Sequence, residues 1–283
     1  MLKTEWIDPI VKAALREDIG VRDITSIALI PRNMTVKADI EFKQKGVLCG
    51  IEVAERVFRL VDEDLRFLPV AKDGEVIEKG REIAYIEGSG LSVLVAERVA
   101  LNFLSHLSGI ATLTREFTEK VKSTPARILD TRKTTPNLRA FEKYAVRTGG
   151  GTNHRFGLYD QVLIKDNHLR ILRKEPLIEI VNRAKRAALK KTLVGVEVKN
   201  LMELAEALKS KADYILLDNM PLEDVREAVE MRNKAGVKME FEVSGGIQLD
   251  NVLSYAQTGV ERISVGKLTH GAPSVDISLD IVG

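Results

Sequence analysis

Apolar and polar positions alternate with a period of two over residues 34–42, "MTVKADIEF", which predicts a half-buried strand. Upstream, residues 5–17 repeat their apolar positions at helical spacing and stop before Gly20, which predicts an amphipathic helix. Residues 73–90, "DGEVIEKGREIAYIEGSG", read as short strands cut by Gly74, Gly80, Gly88 and Gly90. A long helical pattern then covers 91–121, with a break expected at Gly109.

Beyond residue 121 the rhythm changes. Strand-like apolar runs occur at 126–130, 161–165, 194–198, 214–218, 239–245 and 262–266. Helical patterns at 139–147, 176–191, 201–211, 222–235 and 248–258 separate most of them. Such alternation predicts a parallel sheet, and strands apolar on consecutive positions predict that both its faces are covered. An open doubly wound sheet and a (β/α) barrel both satisfy this pattern. Asp130, Lys165, Glu197, Asp218, Ser244 and Gly266 sit at or just past successive strand ends. That distribution favours a barrel, whose chemistry collects on one rim, over an open sheet, which concentrates it at one switch point. Six strand units make such a barrel incomplete.

Composition narrows the class. The chain has 283 residues, 45% of them apolar, enough for one large globular domain or two ordinary ones. A net charge of +2 gives no basis for a broad nucleic-acid-binding surface. The charge is uneven, however: residues 127–173 carry ten Lys/Arg against four Asp/Glu. That excess points to a site for anionic small molecules, the alternative being a solvated face. The single cysteine, Cys49, excludes an internal disulfide and suits a reducing compartment. It sits in an apolar stretch, as a packed small residue would. The first residues, "MLKTEWIDPIVKAALRED", lack a signal-peptide core, and the apolar zone 91–111 is interrupted by Glu97, Arg98, Asn102 and His106. A cytoplasmic protein is expected.

The strand ends carry the candidate chemistry. "VSGGI" (243–247) and "SVGKL" (264–268) follow the last two strands, where glycine turns expose backbone N–H groups to a phosphate. Glu197 and Asp218 end two apolar strands, where an acid needs a task or a partner. Sugar hydroxyls or a divalent metal would supply the task, a rim Lys or Arg the partner. Arg132, Lys133, His154, Arg155 and Lys165 form a cationic group suited to carboxylates and phosphates. Glycines 149–151 would let a loop close over a ligand. Arg98 falls on the apolar stripe of its helix, by its spacing from Leu94 and Leu101. It is read either as a snorkelling side chain or a local ion pair, or as a guanidinium delivered to a site elsewhere, across a dimer interface.

The segments "LREDIGVRDITS", "ERVALNFLSHLSGIATLT", "LDTRKTTPNLRAFEKYAVRTGGGTNHRFGLYDQVLIKDNHL", "VGVEVKN", "ILLDNM", "EVSGGI" and "ISVGKLTHGAPSVDISL" together resemble the consecutive motifs of the quinolinate phosphoribosyltransferase family. The resemblance runs from about residue 14 to 280. It implies an α/β protein: an N-terminal sandwich-like (hammerhead-type) domain over 1–110, rejoined by a tail at 268–283, and an incomplete (β/α) barrel of about six parallel strands over 111–267. It implies transfer of the phosphoribosyl group of phosphoribosyl pyrophosphate (PRPP) to quinolinate with Mg²⁺, releasing CO₂ and pyrophosphate, in de novo NAD synthesis. It also implies a homodimer, or an assembly of dimers, with shared sites.

By position, Arg132, His154, Arg155 and Lys165 match the quinolinate-binding cluster, and Arg98 matches an arginine given by the neighbouring subunit. Lys133 and Lys165 match lysines near the reacting centre and pyrophosphate. Glu197 and Asp218 match acids around the ribose hydroxyls and the metal. Ser244, Gly245, Gly246 and Gly266 match the 5′-phosphate turns. Three departures alter the expected charge near the phosphates: Lys199 replaces a second acid, Lys267 a small residue, and Pro273 a cation. Rivals are a molybdenum-operon homologue of the same fold with a different acceptor, another phosphoribosyltransferase such as one using nicotinate, and a non-catalytic phosphate-binding barrel that senses nucleotides.

Overall fold

A computed structural model describes residues 2–282. In chain order the N-terminal elements are α1 (Thr4–Ile19), α2 (Ile24–Leu29), β1 (Thr35–Phe42), β2 (Gly46–Val47), α3 (Ile51–Val61), β3 (Arg66–Pro69), β4 (Val76–Ile77), β5 (Glu82–Ser89) and α4 (Gly90–Val121). There follow β6 (Arg127–Leu129), α5 (Arg139–Thr148), β7 (Val162–Ile164), α6 (Asp166–Ile171), α7 (Leu177–Ala187), β8 (Val194–Val198), α8 (Leu201–Ala207), β9 (Tyr214–Asp218), α9 (Leu222–Ala235), β10 (Glu240–Ser244), α10 (Val252–Ala256), β11 (Arg262–Ser264), α11 (Lys267–His270) and β12 (Ile277–Ile281).

Two compact units result. One comprises Met1–Arg115, Thr134–Gly150 and Leu268–Gly283; the other comprises Glu116–Lys133 and Gly151–Lys267. Residues 134–150, expected within the barrel domain, therefore group with the first unit.

The first unit is built on an antiparallel sheet of order β12-β1-β5-β3. The predicted alternation holds on β1: Ala38, Ile40 and Phe42 are buried, and the intervening residues face outward. The amphipathic α3 escaped the sequence reading. Its N-terminus is fixed by Asp73, whose carboxylate accepts the Gly50 and Ile51 backbone N–H groups at 2.9 and 3.0 Å. Helix α4 is continuous through Gly109, contrary to the expected break. The glycine serves close packing instead, since a Cβ there would lie 2.1 Å from the Pro273 carbonyl oxygen. Helix α4 is long and apolar enough to cross a bilayer, but 61% of its most apolar window is packed inside the protein, as in a core helix.

The second unit carries six parallel strands in the order β6-β11-β10-β9-β8-β7. Strands β7 to β11 are neighbours in chain order, and the last then pairs with the first, β6. That return is the signature of a barrel rather than of a sheet reversing at a switch point. No ladder joins β6 to β7, so the barrel is open on that side; an isolated bridge between Leu129 and Thr152 extends β6 there. Strand β8 is buried at every residue, as the consecutive apolar pattern predicted.

Candidate active site

Strand register decides which side chains meet inside the barrel. Leu163 pairs with Gly195, Gly195 with Tyr214, and Glu197 with Leu216. Asp218 pairs with Ser244, and Glu242 with Arg262. Because side chains alternate along a strand, Gly195, Glu197, Tyr214, Leu216, Asp218, Glu242, Ser244, Arg262 and Ser264 share one face. Leu163, Tyr214 and Leu216 pack together on it. The same alternation carries Lys165, one residue beyond β7, to that face.

Four predicted residues come together near the strand C-termini. The Lys165 Nζ donates to Glu197 Oε2 at 2.6 Å, with Glu197 buried and the lysine half-exposed. The Arg155 side chain donates to the Gln161 carbonyl at 3.4 Å. Burial, then repulsion from the Arg132 guanidinium, pushes the Arg155 pKa down, with Glu197 among the acids that oppose this. Arg132 and Arg155 are thus close enough to repel, and Glu197 joins Arg155 to Lys165 in one electrostatic neighbourhood. Arg132 and Lys133 are exposed; their loop is shaped by the Lys133 N–H donating to Thr131 Oγ1 at 3.0 Å.

Lys199, the departure from the expected acid, is tied to the same rim. Its ammonium donates to Asp166 Oδ2 at 2.6 Å and its backbone N–H to Glu203 Oε2 at 2.8 Å. The hydrogen bond to Asp166 raises the Lys199 pKa, and Asp218 adds to the rise from further off. Lys267 is exposed, next to half-buried Gly266.

The first predicted phosphate turn has the required backbone. Gly245 and Gly246 have φ of 97° and 64°, in the region that favours glycine. A Cβ on Gly245 would lie 2.1 Å from Asn219 Oδ1. Asn219 itself donates its N–H to the Ser244 carbonyl at 2.8 Å, which locks the end of β9 to the end of β10. Asn251 closes the turn by donating from Nδ2 to the Gly246 carbonyl and accepting the Gln248 N–H.

His154 is placed differently from a simple ligand. Its Nδ1 accepts the Arg155 backbone N–H at 2.6 Å, and its Nε2 lies 3.2 Å from Glu242 Oε1. Its own N–H donates to Asp130 Oδ1 at 2.9 Å. Glu242 is fully buried and also accepts from Arg262 Nε at 2.8 Å and Ser264 Oγ at 2.5 Å. Burial alone would raise the Glu242 pKa, yet its hydrogen bond with His154, the Arg262 guanidinium and the Ser264 hydroxyl hold it below the ordinary range. The Arg262 guanidinium stacks 4.4 Å over the Tyr214 ring, and the His154 ring meets that ring edge-on at 6.0 Å. Only glycine at 195 leaves room, since a Cβ there would lie 2.2 Å from the tyrosine ring. Sequence reading singled out none of Glu242, Arg262 and Tyr214. The one available signal was a pair of acids, Glu240 and Glu242, in a run otherwise fit for a core strand.

Arg98 lies in the first unit. Its side chain is 60% exposed and pairs with neighbouring Glu97 at 3.6 Å. It does not lie on the buried stripe of α4, which runs through Val93, Ala96, Ala100, Leu104 and Leu107. Spacing from Leu94 misled, because Leu94 flanks that stripe.

Among the described residues, no three His, Cys, Asp or Glu side chains gather as a metal cage. Glu197 and Asp218 still supply hard oxygen donors on one face at adjacent strand ends. Two carboxylates fit Mg²⁺ in its usual mode, with substrate phosphates and waters completing the shell, rather than in an all-protein site.

Comparison with known proteins agrees along the whole chain. Residues 23–108 match the N-terminal domain of quinolinate phosphoribosyl transferase, and residues 110–280 match its C-terminal domain. A probable nicotinate-nucleotide pyrophosphorylase (carboxylating) of Methanocaldococcus jannaschii is 44% identical, over 100% of this chain and 99% of that protein. The nicotinate-nucleotide pyrophosphorylase (carboxylating) of Mycobacterium leprae is 39% identical, over 96% and 95%. The solved nicotinate-nucleotide pyrophosphorylase of Francisella tularensis superposes with a TM-score of 0.93 at 35% identity, over 100% of this chain and 98% of that one.

Proposed function

The chain belongs to the quinolinate phosphoribosyltransferase family, and from that premise we propose how its side chains divide the work. The reaction transfers the phosphoribosyl group of PRPP to quinolinate and removes a carboxylate as CO₂, giving nicotinate mononucleotide and pyrophosphate for NAD synthesis. One observation supports the assignment most: the buried Arg155 and the Lys165–Glu197 pair stand at the strand C-termini, and the charge of Arg132 adds to burial in lowering the Arg155 pKa. A polyanion offsets those positive charges, and quinolinate brings two carboxylates.

Arg132, Arg155 and Lys165 hold the quinolinate carboxylates, and Arg98 of the partner subunit completes the cluster in a homodimer or an assembly of dimers. Ser244, Gly245, Gly246 and Gly266 receive the 5′-phosphate, with backbone N–H groups as donors. Glu197 and Asp218 orient the ribose hydroxyls and would hold Mg²⁺ together with PRPP. Bound there, the ion supplies Lewis-acid stabilisation of the departing pyrophosphate. Lys133 and Lys165 oppose the same developing charge.

The pyridine nitrogen attacks C1 of the ribosyl group as the C1–O bond to pyrophosphate breaks. The quaternised ring then takes up the electron pair of the breaking C–CO₂ bond, and a proton replaces the lost carboxylate. The single thiol fits a reducing, cytoplasmic setting.

The test is release of labelled CO₂ from quinolinate carrying the label in its 2-carboxylate. Release that requires PRPP is the expected outcome. Turnover of nicotinate with no release from quinolinate would overturn the reading. Arg132→Ala is expected to abolish quinolinate binding in calorimetry while sparing most PRPP binding; equal loss of both would remove Arg132 from the acid-binding cluster.

A further inference from the structure

The geometry points to Glu242 as a positioning residue for quinolinate, acting through His154 on Arg155. The inference rests on the reading of Arg155 as a carboxylate-binding side chain.

Each link is a contact within the barrel unit. His154 Nδ1 accepts the Arg155 N–H at 2.6 Å, so Nδ1 carries no proton while that bond stands. The neutral ring is then the Nε2–H tautomer, and Nε2 faces Glu242 Oε1 at 3.2 Å. Glu242 selects this tautomer because all its other contacts are donors: Ser264 Oγ on Oε1 and Arg262 Nε on Oε2. A carboxylate held by two donors takes an N–H from the ring far better than it faces a ring lone pair. The Asp130 carboxylate holds the backbone from the other side by accepting the His154 N–H at 2.9 Å. The Tyr214 ring meets the imidazole edge-on, with centroids 6.0 Å apart.

The consequence is directional. With the imidazole fixed, the backbone at Arg155 is fixed, and the guanidinium starts from one place beside Arg132 and Lys165. Both imidazole nitrogens face protein groups, so His154 serves the acid site as a support under Arg155. A buried carboxylate kept only for stability is a poor bargain against an apolar side chain of equal volume. A role in aiming a substrate-binding arginine accounts for keeping it charged.

The experiment uses the full chain. Glu242→Gln keeps the volume and one acceptor but gives up the charge that selects the tautomer. It is expected to raise the quinolinate KM about tenfold, the scale of a weakened charge-assisted hydrogen bond. The PRPP KM and kcat should stay within about twofold. In the wild-type protein, nitrogen-15 spectra of the His154 side chain should show Nε2 protonated and Nδ1 bare, a readout that does not depend on a variant folding.

A folded Glu242→Gln enzyme with unchanged quinolinate KM overturns the inference, as does a wild-type His154 protonated on Nδ1 alone. Equal rises in both substrates' KM also overturn it, since they mark general loosening. Arg155→Lys separates this from the underlying assignment. If it leaves quinolinate binding intact, the reading of Arg155 fails; if it weakens binding while Glu242→Gln does not, only the relay fails.

Discussion

Glu242 in the barrel and Asp39 in the N-terminal sheet are both acids set among charged groups, and their proton affinities move in opposite directions. Glu242 is fully buried, yet its pKa is lowered, because three donors meet its two oxygens. Asp39 is only half-buried, yet its pKa is raised, by burial first and then by Glu82, Asp280 and Glu41. Register contributes to both. Glu242 pairs across the ladder with Arg262, whereas Asp39 pairs directly with Asp280 on one side and Tyr85 on the other. The nearby cation, Lys43, spends its ammonium on Glu41 and Asp280, at 3.0 and 3.3 Å. Burial raises the proton affinity of both acids; the groups facing each carboxylate overturn that rise in Glu242 and add to it in Asp39.

The comparison breaks most visibly if the barrel acid loses its cation. Arg262→Leu leaves a buried carboxylate without its main charge partner, which should cost ~3–5 kcal/mol of stability. Urea denaturation followed by circular dichroism measures it. The double variant Arg262→Leu/Glu242→Leu should recover most of that loss, because the desolvated pair disappears with its penalty. A single variant within ~0.5 kcal/mol of wild type would mean that His154 and Ser264 alone stabilise the carboxylate.

A smaller effect sharpens the same contrast through pH. Since the folded pKa of Glu242 is depressed, its contribution is complete above the unfolded glutamate value of about 4.3 and fades as pH falls through the folded value. Glu242→Gln should therefore lose ~1–3 kcal/mol at pH 7 and converge on wild type in acid. A deficit that persists unchanged to low pH would trace to packing rather than charge.

These registers also mark the limit of what the sequence discloses. Glycines 245 and 246, the rim acids Glu197 and Asp218, and the alternation of six strands with helices could be read from local pattern, because turn chemistry and periodicity are local. Glu242 could not. Its role depends on Arg262 twenty residues away lying opposite it, and on a histidine from the loop before β7 reaching the same carboxylate. The placing of Arg98 on the apolar stripe and the break at Gly109 failed for a related reason. Helical spacing from one leucine did not locate the buried stripe, and a glycine that suggests a break is silent about the Pro273 carbonyl packed against it. Helix α3 was legible in its apolar spacing and was overlooked, while its cap, Asp73, lies beyond the helix in sequence.

The smallest test approaches wild type from the other side. Asp39 sits in a sheet whose outward face carries Glu41, Glu82 and Asp280, so its ionised form is the disfavoured one in the folded state. A raised folded pKa means that the penalty is complete above that value and absent below the unfolded aspartate value of about 3.9. Asp39→Asn should therefore stabilise the protein at pH 7, by about 0.5 kcal/mol given solvent screening and the usual worth of a cross-strand pair. The gain should shrink in 1 M salt, as exposed charges are screened, and vanish near pH 3. Thermal unfolding of the variant and wild type across pH 3–7 measures it. A loss of stability at pH 7 would show that Asp39 draws more from Lys43 than it suffers from Asp280, and the contrast with Glu242 would then lie in the number of donors rather than in the sign of the neighbouring charge.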